Sequence, residues 1–290
     1  MTSRQKYLFL INPVAGGRDK HGLIDLIEEL PWAVRPHILW LEQEMHAQEL
    51  HNLICTDKYD AVVAAGGDGT VHLVARALIG TGVPLGILPM GSGNGLAKDL
   101  GLPLAEADAI QTLFFGTPKP LDGIWVNQKP CFHLSDMGLN ARVIRDYASG
   151  SYRTLKAYAW HLLRFYFSAG PNQLKLTIDG EQVYDGDAYL VAVCNGMRYG
   201  SDLFINPRGK PDDGLAEVVV LKYFPKSAGP DILLDLMTGN LDPDYFECFT
   251  GKQILLELKH PWPWQVDGEY GGESTTCEAQ IQPGLIQVLC

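Results

Sequence analysis

The sequence predicts an α/β domain over residues 1–120, built on a parallel sheet. A mainly antiparallel β domain follows over 121–290, with its last segment free to pack back on the first domain. Three observations predict this. The first 120 residues alternate short apolar runs with helical periodicity. After "TPKPLDG" the chain becomes a series of strand-like runs separated by turn residues. In "AVVAAGGDGTVHLVARAL" a wholly apolar run meets a helix directly through glycines, as at the end of a strand buried on both faces.

The elements follow in order. "KYLFLINP" is a strand stopped by Asn-Pro, and "HILWL", "YDAVVAAGG" and "PLGILPMG" are three more. In "TVHLVARALIG", Val71, Val74, Ala75, Leu78 and Ile79 share one helix face. "AEADAIQTLFFG" is a helix stopped by Gly116 and Pro118. In the second half, "GIWVNQKPCFHL", "LKLTIDGEQVY", "AYLVAVCNG", "LAEVVVLKYF", "QILLELK", "PWQVDGEY" and "AQIQPGLIQVL" read as strands. Two helices interrupt them, "PDILLDLMTG" and residues 152–167. The latter carries Arg153, Lys156 and Arg164 beside an apolar face, which suits covering a sheet or contacting a membrane surface.

Composition bounds the function. At 290 residues, 46% hydrophobic and 20% charged, the chain is long enough for two folded domains. A net charge of -11 argues against nucleic-acid binding, which needs a surplus of Lys and Arg. No run approaches the roughly 20 apolar residues of a membrane span. The start, "MTSRQKYLFLINP", has too short an apolar segment for a secretory signal, so a cytoplasmic protein is expected. The six cysteines form no C-x-x-C and the eight histidines no H-E-x-x-H, so these thiols, His72 and His161 read as structural.

Three glycine-rich loops carry the chemistry. Gly66-Gly67-Asp68-Gly69-Thr70 opens a helix, with Thr70 placed to cap it. Backbone N–H groups and the positive helix end make an anion site suited to phosphate. Asp68 would repel that phosphate unless a cation intervenes, which points to Mg²⁺ or to proton transfer. Gly91-Ser92-Gly93-Asn94-Gly95 follows another strand, and Asn12-Pro13 with Gly16-Gly17 follows the first. In a parallel sheet all three emerge at the carboxyl edge, where ligands bind. Neither a Walker A loop nor a G-x-G-x-x-G fingerprint occurs.

Taken along the chain, Asn12-Pro13 with Gly16-Gly17, then Gly66 to Thr70, then "LPMGSGNGLA" resemble the three signatures of the diacylglycerol kinase catalytic domain, a family that includes bacterial lipid kinases and sphingosine and ceramide kinases. "YLVAVCNGMRYGSDLFINPRGKPDDGLAEVVVL" and "WQVDGEY" are similar to its later segments. The resemblance implies an N-terminal domain related to NAD kinases and phosphofructokinases, and an ATP- and Mg²⁺-dependent transfer of phosphate to a lipid hydroxyl. Asn12, Gly66, Gly67, Asp68, Gly69, Thr70, Gly91, Ser92 and Asn94 would hold the nucleotide. Asp267 and Glu269 would be the acids at the reacting hydroxyl, one of them the general base. Asp213 would bind a metal with backbone oxygens near Lys210 and Leu215, assisted by Asp212. The lipid implies transient contact with a membrane surface, and a homodimer is left open.

The sequence departs from the family pattern in three places. Gly95 stands where an acid is common, Gly138-Leu139-Asn140-Ala141 replaces Gly-Phe-Asp-Ala, and Leu41 stands near a common threonine. The alternatives are an NAD kinase-type enzyme, which shares Gly-Gly-Asp-Gly-Thr, and a non-catalytic nucleotide or lipid sensor on the same fold. Two Asp-Gly-Glu triplets also need separating. Asp179-Gly180-Glu181 reads as a hairpin turn, whereas Asp267-Gly268-Glu269 reads as a turn that also presents acids. Replacing Asp68 or Asp267 by Ala is expected to abolish transfer with little loss of stability.

Overall fold

The computed structural model describes residues 5–17, 20–28, 34–42, 45–149, 170–199 and 203–290. The helix expected at 152–167, with Arg153, Lys156, His161 and Arg164, lies outside them. The described chain divides into two compact units, residues 1–122 with 283–290, and residues 123–282.

In the first unit β1 (Gln5–Ile11), β2 (Val34–Trp40), β3 (Ala61–Gly66) and β4 (Leu85–Pro89) alternate with α1 (His21–Glu28), α2 (Ala47–Asp57) and α3 (Asp68–Leu78). Two further helices follow, α4 (Gly95–Asp99) and α5 (Glu106–Phe115). β1 pairs in parallel with β2 on one side and β3 on the other, and β3 pairs in parallel with β4. The order β4-β3-β1-β2 therefore reverses direction between β1 and β3. Their carboxyl ends flank the crevice that such a switch point opens. Every residue of β3 is buried, because helices cover both faces of the sheet. On α3 the buried face includes Val71, Val74, Ala75 and Leu78, and also His72 and Ala77. The last residues of the chain return to this unit. Val288 pairs in parallel with Leu85, and Thr117 and Cys290 exchange backbone hydrogen bonds.

The strands β5 (Pro118–Val126), β6 (Lys129–Cys131) and β7 (Leu134–Gly138) lead into α6 (Leu139–Ser149). The second unit continues with β8 (Asn172–Ile178), β9 (Glu181–Cys194), β10 (Arg198–Tyr199), β11 (Leu203–Phe204) and β12 (Ala216–Lys222). It ends with α7 (Gly229–Thr238), β13 (Phe246–Gly251), β14 (Gln253–Val266) and β15 (Glu269–Leu289), whose residues from 283 onward belong to the first unit. The pairs β7–β9, β8–β9, β8–β14, β7–β14, β9–β12 and β12–β13 are all antiparallel. Side chains alternate across this sheet. Val191, Val193, Val218 and Val220 enter one apolar cluster, and Leu190, Ala192, Val219 and Leu221 enter another. The second cluster is covered by Ile232 of α7, with Leu236 packed against it. "QILLELK" and "PWQV" form one strand rather than two. Pro261 falls where the β14–β15 register shifts between Glu257 and Trp262, while Pro263 sits opposite Glu273, just before a second shift between Trp264 and Gln265.

Both Asp-Gly-Glu triplets are two-residue hairpins with the first two residues at positive φ, 51° and 88° at Asp179-Gly180, and 49° and 85° at Asp267-Gly268. That geometry is the type I′ turn, which matches the strand twist and favours Asp-Gly. The Asp179 carboxylate accepts the N–H groups of Lys252 and Gln253, at 3.1 and 2.8 Å to Oδ1, where β14 begins. Asp179→Ala should therefore lower stability by about 1 kcal/mol, read as the denaturant midpoint. Glu181→Ala, at an exposed position, should leave the midpoint unchanged.

Candidate active site

In the first unit the three glycine loops brace one another. After β1, the Asn12 side chain donates to the Thr70 hydroxyl at 3.0 Å and accepts the Val14 N–H at 3.1 Å. Gly16, at φ 67°, lies where a β-carbon would sit 2.4 Å from the Met90 carbonyl oxygen. The loops after β3 and β4 approach as tightly, since a β-carbon on Gly91 would lie 2.5 Å from Gly67 Cα. That approach is open to glycine alone. The Asn94 side chain, on a residue at φ 54°, closes the third loop by accepting the Gly91 N–H at 2.8 Å and donating to the Gly91 carbonyl at 2.9 Å. Asp68 links the second loop to the third, its Oδ1 accepting the Gly95 N–H at 2.7 Å.

Two sequence expectations change here. Thr70 does not cap α3. The helix begins at Asp68 with Gly67 as its cap residue, and Thr70 is buried with its hydroxyl on Asn12. Asp68 is not simply a repellent acid in a phosphate loop. It stands in the first turn of α3, where the helix dipole favours negative charge, and it ties two loops together. Gly69 is exposed, with nothing within 4 Å of where its β-carbon would be, so a ligand can approach the backbone there. The sequence reading missed Lys20. This buried lysine donates to the Ala15 carbonyl at 2.6 Å, beside the first loop. A basic residue shortly after Gly16-Gly17 was the available signal.

In the second unit the Asp267–Gly268 turn is anchored to the start of β7. Asp267 Oδ1 accepts the His133 and Leu134 N–H groups at 3.0 and 3.1 Å and the Cys131 thiol at 3.3 Å. Its Oδ2 accepts the Phe132 N–H at 2.9 Å. Burial first, then the Asp267 charge, pushes the Cys131 thiol far up, so it stays a protonated donor. Glu269, the first residue of β15, is exposed. The two acids are thus close in sequence but differently placed, one held by backbone N–H groups and one exposed. Behind the turn, Gln265 Oε1 accepts the Gly268 N–H at 2.7 Å, and Gln265 Nε2 donates to Asp136 Oδ2. Asp136 is 1% exposed, and burial raises its acid to about 6 against the pull of its hydrogen-bond donors.

Asp212 and Asp213 are exposed, and Asp213 Oδ1 accepts the Leu215 N–H at 3.1 Å. Among the described residues no three His, Cys, Asp or Glu side chains converge on a metal position. One carboxylate with backbone oxygens and water remains an ordinary Mg²⁺ set. Glu217, which the sequence reading missed, strengthens that fit. Burial raises its acid, the Asn206 hydrogen bond opposes this, and the Asp213 charge adds to it, so two carboxylates repel at this turn. Their i, i+4 spacing was visible, but only the fold shows that Glu217 is half-buried.

Two family models cover this architecture. The diacylglycerol kinase catalytic domain matches residues 6–126, and the YegS C-terminal NAD kinase beta sandwich-like domain matches residues 135–290. A probable lipid kinase YegS-like from Klebsiella pneumoniae is 32% identical over 72% of this chain and 71% of its own length. The chain belongs to the YegS-like lipid kinase family. A second YegS-like relative, from Chromohalobacter salexigens, is 29% identical over 72% of this chain and 69% of its own length. Among solved structures, a putative diacylglycerol kinase from Bacillus anthracis superposes with a TM-score of 0.79 at 24% identity, covering 98% of this chain and 97% of the other. An NAD kinase from Archaeoglobus fulgidus reaches 0.54 at 11% identity, covering 98% and 93%. These two likenesses concern the fold.

Two outcomes follow for this lipid kinase family member. Asp267→Ala strips three backbone N–H groups of their acceptor, so it should cost about 1–3 kcal/mol in chemical denaturation, contrary to the expectation of little loss. The Asp136 acid binds its proton more tightly folded than unfolded, so its contribution to stability is lost as pH rises from about 4 through about 6. Asp136→Asn should flatten the stability–pH curve across that window, measured by unfolding midpoints.

Proposed function

We propose that this protein is an ATP- and Mg²⁺-dependent kinase that transfers the γ-phosphate to the hydroxyl of a lipid such as a diacylglycerol or sphingoid base. The observation that carries the reading is the set of glycine loops locked at the carboxyl ends of β1, β3 and β4, with the first turn of α3 open at Gly69. First-turn N–H groups have no intrahelical partner, and together with the dipole they suit a phosphate chain. Lys20 adds a positive charge beside the first loop. Phosphoryl transfer asks a protein for positioned phosphates, charge neutralisation and a base near the hydroxyl. In this reading Asp267 and Glu269 form the acidic pair, since the tight turn brings both carboxylates to one hairpin and Glu269 is exposed there. Asp213, with Glu217 and the backbone oxygens of Lys210 and Leu215, would hold Mg²⁺, which relieves their mutual repulsion; Asp212 assists.

A lipid acceptor also requires contact with a bilayer. Among the described residues no helix is long and apolar enough to cross a membrane. Helix α7 does present an apolar stripe to solvent. Pro230, Leu233, Leu234 and Met237 recur at helical spacing, and the last three are 48%, 58% and 59% exposed. The NAD-kinase likeness of the fold keeps NAD as the rival acceptor.

The deciding assay supplies labelled ATP and Mg²⁺ with a lipid extract in one arm and NAD in the other. Label in lipid supports the proposal, label in NAD alone rejects it, and ATP binding without transfer favours a sensor. Glu269→Ala should lower transfer by about a hundredfold or more, while Glu181→Ala stays at the wild-type rate. Chelating Mg²⁺ should lower the unfolding midpoint, and Asp213→Asn should remove that shift.

A further inference from the structure

Asp136 and Gln265 face each other across the antiparallel β7–β14 pair, and each is 1% exposed. The Asp136 Oδ2 atom accepts the side-chain N–H of Gln265 at 2.5 Å and that of Asn140 at 2.7 Å. The Gln265 backbone is held as well, since the Ser135 hydroxyl donates to its carbonyl at 2.6 Å. Gln265 Oε1 then receives the Gly268 N–H at 2.7 Å. An amide has a donor end and an acceptor end, whereas an ionised carboxylate only accepts. A carboxylate at 136 therefore selects the Gln265 orientation that turns an acceptor toward Gly268. Asp136 Oδ1 is buried without a complete hydrogen bond. The Tyr199 hydroxyl and Ala141 N–H approach closely enough to favour the ionised form. Among the described residues acting on Asp136, the Asn140 and Gln265 amides and the Ala141 backbone carry no charge, and Tyr199 brings a phenol hydroxyl.

Burying an acid costs free energy that an apolar residue would not. A group kept at that cost under a turn points to a role in the turn. We propose that Asp136 is a positioning residue for the Asp267–Gly268–Glu269 turn, acting through the Gln265 side chain to hold Gly268 and so fix where Glu269 is presented. This rests on the reading of Asp267 and Glu269 as the acidic pair. Displacement of a reacting group by about 1 Å can cost about a hundredfold in rate.

The test is made on the full chain with ATP, Mg²⁺ and the lipid that accepts label, measuring kcat, KM for ATP and its pH profile. Asp136→Asn should lower kcat about tenfold to a hundredfold, leave KM for ATP within about twofold, and remove an inflection of kcat near pH 6. The double variant Asp136→Asn with Gln265→Glu restores one donor facing one acceptor and leaves an acceptor for Gly268. It should recover most of the lost rate, which a merely structural role would not do. A folded Asp136→Asn protein at wild-type rate overturns the inference, as does a folded double variant no better than the single. Should Asp136→Asn not fold, Gln265→Met cuts the same relay at its other end, and full activity there overturns the inference equally. Glu269→Gln run in parallel separates the failures. If it is fully active, the acidic-pair reading has failed. If it is inactive while Asp136→Asn is unaffected, the positioning role has failed.

Discussion

A carboxylate that accepts backbone N–H groups from a distant segment recurs throughout this structure. Asp68 does this for Gly95, Asp179 for Lys252 and Gln253, and Asp267 for Phe132, His133 and Leu134. Each bond is charge-assisted, and each satisfies main-chain donors where strand or helix pairing ends. The contacts span 27 residues at Asp68, up to 74 at Asp179 and up to 135 at Asp267, so they fix tertiary arrangement rather than local turns. The loops that would meet a nucleotide, and the turn that would meet a hydroxyl, both depend on this device.

The same device bears on how an acidic chain would hold phosphate at the loop proposed for it. Asp68 does not face its loop as an isolated charge, because it sits at the positive end of α3 and is bound to the neighbouring loop. The glycines then do what no side chain could, bringing two strand-end backbones within contact of each other. Rigidity at that edge comes from Asn12, Thr70 and Asn94, which spend their hydrogen-bonding capacity inside the loops. Preorganised donors of this kind act without rearrangement when charge arrives.

Much of this was legible in the sequence because the signals were local. A wholly apolar run predicts a strand buried on both faces, and β3 is one. Asp-Gly between strand-like residues predicts a hairpin turn, and both are present, with type I′ geometry. What could not be read was which partner a side chain takes across a hundred residues. Nothing near Asp267 announces Cys131 or Leu134, and nothing near Thr70 announces Asn12, so the sequence shows neither the main chain that Asp267 holds nor the side chain that turns Thr70 away from capping its helix. Asp136 was invisible for the same reason. An acid in "HLSDMGLN" reads as exposed until the strand opposite it supplies Gln265.

The anchoring of Asp267 bears on how relatives of this protein should be interpreted. A turn that needs its aspartate to fold will keep it whether or not any chemistry survives. In a descendant that has lost transfer activity, the aspartate would persist as architecture, while exposed Glu269 would drift freely. Inheritance at position 267 would thus record a shape, whereas inheritance at position 269 would record the occupation proposed for it.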